Sequence, residues 1–268
     1  MQTDKVTVEM EGEVVMMKLN RPEVLNALNP ATVSAIGAGI LELTQGMGAR
    51  CIVLTGQGRA FSSGADLSGG DDGNAVTPIR AEAVLQKFYH PMLRALRDCP
   101  VPLITAVNGP AVGAGMSIAL MGDIITASRK AYFLQAFARI GLIPDTGSSW
   151  LLPRLIGLVR ARELSMLAEK LPAETALDWG LLNRVFDPDE LLPETIKIAQ
   201  AMAKGPTDGL VRIRKLYWAS SGNSLEEQLN LEDELQFAAT LGAEFAEGKK
   251  AFAEKRAPNF REASGRIQ

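Results

Sequence analysis

The run Asn108-Gly109-Pro110-Ala111-Val112-Gly113-Ala114-Gly115-Met116-Ser117 joins an apolar stretch, Val101 to Val107, to an almost wholly apolar segment, Met116 to Met121. A turn of small residues between a buried strand and a buried helix leaves backbone N–H groups bare at the helix head. The first helical donors lack intrahelical partners, and the helix dipole adds partial positive charge there. Such a corner can hold an oxyanion. A second Gly/Ala corner, Phe61-Ser62-Ser63-Gly64-Ala65-Asp66-Leu67, closes another apolar run, Cys51 to Thr55. Two corners that each end a strand can converge as two donors on one carbonyl oxygen.

The elements that must position these corners follow from hydrophobic period and turn chemistry. Val6, Val8 and Met10 alternate with polar residues, Glu11-Gly12-Glu13 turns, and Val14 to Leu19 returns, which predicts a hairpin. Asn29-Pro30 opens a helix with Val33, Ile36, Ile40 and Leu43 on its apolar face. Ser68 to Pro78 is Gly/Asp/Ser-rich and reads as a mobile loop, and Ala81 to Leu96 has helical spacing. Asp123 to Ala127 and Ala131 to Phe137 read as strands, Ser148 onward and Leu158 to Ala168 as helices, and Gly180 to Phe186 as a short strand. From Glu190 the pattern stays helical almost to the end. Strands alternating with helices predict an α/β core, and the strand-poor final third predicts a helical appendage.

Composition narrows the function classes. A chain of 268 residues suffices for one large domain, or a domain with an appendage. A net charge of −3 argues against bulk attraction to nucleic acid or anionic membrane. No apolar run is long enough to span a bilayer, and Met1 to Lys5 has no apolar signal core, so a cytoplasmic location is expected. Two cysteines, Cys51 and Cys99, suggest neither a disulfide framework nor a metal site.

Leu19-Asn20-Arg21-Pro22 with Asn26-Ala27-Leu28, Phe61 to Asp66, Asn108 to Asp123, Ala136 to Gly157 and the ending Glu247 to Phe260 together resemble the crotonase, or enoyl-CoA hydratase/isomerase, superfamily over essentially the whole chain. Within it, Gly141-Leu142-Ile143-Pro144-Asp145 and Trp150-Leu151-Leu152-Pro153-Arg154 are most similar to the branch that isomerises 1,2-epoxyphenylacetyl-CoA, itself similar to Δ3,Δ2-enoyl-CoA isomerases. The resemblance implies an α/β fold: a crotonase-type spiral of β-β-α repeats over residues 1–200 with a C-terminal helical trimerisation region over 201–268. It also implies a homotrimer or dimer of trimers and an acyl-CoA thioester as substrate, with no dissociable cofactor beyond its coenzyme A and no metal. The thioester carbonyl would take hydrogen bonds from the backbone N–H groups of Ala65 and Ala114. Coenzyme A would lie around Leu25, Ala27, Ser63, Ala65, Asp66 and Leu67. Lys255 would reach the nucleotide, whereas Ser68 stands where many relatives carry a phosphate-binding lysine. Phe88, Met92, Ser117, Phe137, Trp150 and Leu151 would line the acyl pocket.

Hydratases of this superfamily hold a water between two glutamates, at the positions of Ser117 and Phe137 here. Neither residue can serve as a carboxylate base. Asp145 stands where the superfamily's isomerases place their acting carboxylate, which suits proton relocation by one group. The residues alone also allow a plainer role, with Asp145 or Thr146 as the N-cap of the following helix. His90, the single histidine, reads as a surface or packing residue; a dehalogenase branch pairs a histidine there with the aspartate, but with tryptophan at the Phe137 position. Gly115-Met116-Ser117-Ile118-Ala119 approaches a serine-hydrolase elbow, yet no histidine follows it. The expected activity is therefore an acyl-CoA isomerase. The alternatives are an enoyl-CoA hydratase and a non-catalytic RNA-binding or scaffold homologue, against which the acidic balance counts.

Overall fold

A computed structural model describes residues 4–46, 48–68 and 83–263. Most of the Ser68–Pro78 loop and the start of the helix expected from Ala81 lie outside them. In chain order the first elements are β1 (Val6–Glu11), β2 (Val14–Leu19), α1 (Pro30–Gly46) and β3 (Cys51–Gly56). A π-helical turn at Leu85–Tyr89 leads into α2 (His90–Arg97), followed by β4 (Leu103–Val107), β5 (Ala111–Val112) and α3 (Ala114–Ala119). Then come β6 (Ile124–Ser128), β7 (Tyr132–Leu134), α4 (Ser148–Leu167), β8 (Leu171–Pro172), α5 (Ala173–Asp178) and β9 (Arg184–Phe186).

Two sheets grow together as the chain advances. One has the order β1-β2-β3-β4-β6-β9, parallel after the opening hairpin, and the other the order β5-β7-β8. Successive turns place β4 and then β6 in the first sheet, β5 and then β7 in the second. The isolated parallel bridges Leu28↔Ala65 and Ser62↔Ala111 extend the second ladder back toward the N-terminus. The result is a spiral of β-β-α turns.

Both faces of the larger sheet are covered, which explains why β3 and β4 are apolar throughout rather than alternating. Ile52, Leu54 and Leu103 pack with Val33, Ile36, Ile40 and Leu43 of α1. Cys51, Val53, Ile104 and Ala106 face the other way, against Leu191, Ala199 and Ala203 of α6 (Leu191–Lys204). Residue 200 thus falls within a helix of the core, and the helical appendage begins after Gly205 with α7 (Thr207–Ser220), α8 (Leu225–Thr240), α9 (Ala243–Ala253) and α10 (Phe260–Ala263).

Two buried arginines tie that final region to the core. Arg50 donates to the carbonyls of Ala203 and Gly205 (2.7 and 2.8 Å). Arg214 of α7 donates to the Cys99 and Val101 carbonyls and pairs with Asp123, Nη2 to Oδ2 2.5 Å.

The helices expected from Ser148 and from Leu158 are both present within α4, separated by non-helical backbone at Gly157 (φ 77°, ψ 159°). Two expectations need correction. The strand expected over Ala131–Phe137 ends at Leu134, because Gln135 (φ −83°, ψ 78°) turns the chain into a 3-10 helix over Ala136–Ile140. The N-cap of α4 is Gly147 rather than Asp145 or Thr146.

Candidate active site

The two small-residue corners meet. Leu28 donates to the Gly64 carbonyl (2.8 Å) and accepts from the Asp66 N–H (3.0 Å), which leaves Ala65 between them with its own N–H unused by protein acceptors among the described residues. Val112 donates to the Ser62 carbonyl (2.9 Å), which draws the Phe61–Leu67 corner onto the Pro110–Gly115 corner. Gly64, at φ +92°, sits at the seam: a Cβ there would lie 2.7 Å from the Val112 oxygen and 3.6 Å from the Ala114 nitrogen. Gly115 permits the same close approach, since a Cβ on it would lie 2.7 Å from Ser62. Gly113 donates to Leu134 (2.8 Å) and caps α3 without a side-chain bond, so the Ala114 N–H opens the helix with no protein acceptor among the described residues. Two bare donors on adjoining corners can bind a carbonyl oxygen that gains negative charge.

Asp145 lies in the segment that closes on the head of α3. Its carbonyl accepts from Ser148 N (3.0 Å) and Ser148 Oγ (2.8 Å) and from Ser117 Oγ (3.4 Å), which fixes its backbone against α3. Its carboxylate accepts from the Thr146 hydroxyl (2.8 Å). Burial pushes the carboxyl up from its ordinary value, and the Thr146 hydrogen bond and the His90 charge oppose that shift. Thr146 itself is buried at φ +51°, an unusual conformation for a β-branched residue. Strained backbone beside a desolvated acid is a common mark of a functional site.

The bracket Asn20-Arg21-Pro22…Asn26 shapes the neighbouring wall. Arg21 donates to the Ala27 carbonyl (2.7 Å) and to Asp66 Oδ2 (2.9 Å), and Asn26 spans Arg21, Gln57 and Ala60 with its side chain. Leu25 and Asn26 both hold positive φ, 55° and 56°. Ser63 binds back onto this bracket through Leu25 O (2.9 Å) and Val24 O (3.2 Å). Leu25, Ala27, Ser63 and Asp66 therefore form one continuous edge beside Ala65, from which Leu67 projects exposed. The Asp66 carboxylate is occupied by Ser68 and Arg21, which hold it below its ordinary value against the effect of burial. Lys255 lies at φ +53° just past α9, and further along Arg261 pairs with Glu13 (3.1 Å) at the turn of the opening hairpin.

The expected acyl-pocket residues separate. The Phe137 ring is buried next to Gly113, 3.7 Å from where a Cβ would stand. Phe88 is half-buried on the π-helical turn, where the Tyr89 hydroxyl donates to Leu28 O (3.0 Å) and so anchors the bridge to Ala65. Met92 packs in the core against Gly37 of α1, with its Cα 3.3 Å from that glycine's notional Cβ. Trp150 and Leu151 border a cavity of about 150 Å³ together with Leu93, Arg94, Arg97, Met121, Gly147 and Trp218. Trp218 lies parallel to Trp150 at 4.9 Å between ring centroids. Sequence reasoning missed Trp218 and the bracing roles of Arg21 and Thr146; the Asn-Arg-Pro motif marked Arg21, whereas nothing local marked the other two.

A spiral of β-β-α turns with bare N–H groups on two adjoining corners, and a half-buried acid whose backbone is tied to the helix that follows one of them, has the features of an enzyme acting on activated acyl groups. The chain belongs to the enoyl-CoA hydratase/isomerase family, whose pattern matches residues 9–263. It is 41% identical to a probable enoyl-CoA hydratase of Rhodobacter capsulatus, covering 95% of this chain and 97% of that one. It is 40% identical to the 1,2-epoxyphenylacetyl-CoA isomerase of Escherichia coli, covering 94% and 96%. Among solved structures, an enoyl-CoA hydratase subunit I from Geobacillus kaustophilus superposes with a TM-score of 0.88 at 34% identity, over 96% of this chain and 97% of that chain.

Proposed function

We propose that this protein is an acyl-CoA isomerase in which Asp145 relocates a proton on a thioester held by the N–H groups of Ala65 and Ala114. The observation that carries the reading is the half-buried carboxyl of Asp145, its backbone tied to Ser117 of α3, where Ser117 and Phe137 supply no second acid. With a 3-enoyl thioester, the Asp145 carboxylate takes a proton from C2. The electron pair moves into the carbonyl, the dienolate oxygen accepts hydrogen bonds from the two N–H groups, and the protonated acid returns the proton to C4 to give the 2-enoyl thioester. A 1,2-epoxyphenylacetyl thioester, rearranged to its oxepin, is the other substrate this reading favours, and the similarity to the Escherichia coli isomerase supports it. Burial serves the step by raising the basicity of Asp145.

Coenzyme A in this reading rests along Leu25, Ala27, Ser63, Asp66 and Leu67, with no further cofactor. Exposed apolar side chains flank the Asp145 segment, Ile143 at 81% and Val159 at 81% exposure, with Phe237 and Phe252 on the final helices at 66% and 88%. These faces support self-association as a homotrimer or dimer of trimers. No helix among the described residues is long and apolar enough to cross a membrane.

A panel of 3-enoyl, 2-enoyl and ring-epoxide thioesters, run with wild type and Asp145→Asn, tests the proposal. Isomerisation lost in the variant, with thioester binding retained, is the expected result. Hydration of 2-enoyl-CoA as the dominant activity would overturn it in favour of a hydratase.

A further inference from the structure

We infer that Trp218, carried on α7 from the helical C-terminal region, closes the acyl cavity beyond Asp145 and restricts the enzyme to short, aryl-sized acyl groups. The inference rests on the proposed binding of an acyl thioester at Asp145, and it names the acyl class. The cavity, about 150 Å³, is of the size that takes a benzene ring. Each core segment that lines it does so one turn beyond a residue close to Asp145. Leu93 follows His90 by one turn on α2, and Met121 follows Ser117 by one turn past α3. Gly147 and Leu151 carry the same wall up α4. Residues three or four apart share a helix face, so the cavity lies roughly 5 Å past the acid, where the far end of a short acyl group would fall.

The far wall is the indole pair. Trp218 lies flat on Trp150, 6° from parallel at 4.9 Å, and the Arg154 guanidinium stands 4.0 Å from the Trp150 ring while donating to the Trp150 carbonyl (2.9 Å). Trp150 is therefore pinned, and Trp218 is anchored through the same helix as Arg214, which is bound into the core. Flat aromatic walls around a mostly apolar space, edged by Arg94 and Arg97, suit a planar ring. A long linear chain would run into the indoles.

The test uses thioesters that do not react, so its readout is independent of turnover. Wild type is expected to bind phenylacetyl-CoA at least about tenfold more tightly than decanoyl-CoA, the discrimination available to a pocket that a chain overfills. Trp218→Ala and Trp218→Leu should bring the ratio to within about threefold by tightening decanoyl-CoA, while affinity for free coenzyme A stays unchanged. Leu93→Phe, which fills the cavity from α2, should weaken phenylacetyl-CoA by about tenfold and leave free coenzyme A alone. Equal affinity of wild type for the two thioesters overturns the inference, as does an unchanged ratio in both Trp218 variants. If the Trp218 variants fail to fold, the wild-type ratio and Leu93→Phe decide it. Absent isomerase activity would sink the proposed function, whereas these ratios judge the gate separately.

Discussion

Replacing Gly64 by alanine sets a methyl group into the seam between the two donor corners. The new Cβ would stand 2.7 Å from the Val112 oxygen, about 0.6 Å short of an ordinary C···O separation of roughly 3.3 Å. The same methyl would lie 3.6 Å from the Ala114 nitrogen, so relief of the clash must move one corner relative to the other. Gly64 also holds φ +92°, and a side chain there adds backbone strain of roughly 1–3 kcal/mol. Oxyanion donors act over about 2.7–3.1 Å, and losing one typically lowers kcat by roughly 10²–10³-fold, or about 2.7–4 kcal/mol. Gly64→Ala is therefore expected to lose on the order of 10²-fold in kcat. Affinity for free coenzyme A should change little, because the Leu25–Ser63 edge is held by its own hydrogen bonds. Steady-state turnover of a 3-enoyl thioester, coenzyme A titration and a thermal melt together separate the catalytic effect from unfolding. A folded Gly64→Ala enzyme with kcat within threefold of wild type would refute the convergence of Ala65 and Ala114 on one oxygen.

Asp145→Asn should lower turnover by about 10²–10⁴-fold, the usual contribution of a general base. It should also melt no lower than wild type at neutral pH. Burial raises the folded-state pKa of Asp145, so the stability its neutral form contributes is full at low pH and is lost as pH rises through the folded pKa. Because the base must be ionised, kcat/KM should fall on the acid side with an apparent pKa above that of an ordinary aspartate. His90→Gln should move that limb further up, since the His90 charge opposes the shift. Arg214→Met leaves the Asp123 carboxylate and the Cys99 and Val101 carbonyls without their donor, and should cost about 3–5 kcal/mol in chemical denaturation.

Much of the scaffold was legible in the sequence because local pattern and burial agree. Val33, Ile36, Ile40 and Leu43 recur at helical spacing and are fully buried in α1. Cys51 to Leu54 form an unbroken apolar run because both faces of β3 are covered. The two Gly/Ala corners were visible as corners, and their contact is a product of the Leu28–Ala65 and Ser62–Ala111 bridges, which join residues 37 and 49 positions apart. Where tertiary context decides, the pattern is silent. Met92 and Trp150 both sit at apolar positions, yet Met92 meets Gly37 in the core and Trp150 borders a cavity. Trp218 pairs with a residue 68 positions earlier, and no local signal reports that stack. The N-cap reading of Asp145 failed because Thr146 and Gly147 both take positive φ, which delays the helix and frees the carboxyl from capping.

The central claim is that one carboxyl moves a proton and no water is added. Mass spectrometry of the product formed from a 3-enoyl thioester tests it most directly, with wild type and Asp145→Asn in parallel. The expected result is a 2-enoyl thioester of unchanged mass from wild type and no conversion by the variant. A product heavier by one water, or isomerisation that survives in Asp145→Asn, would contradict it.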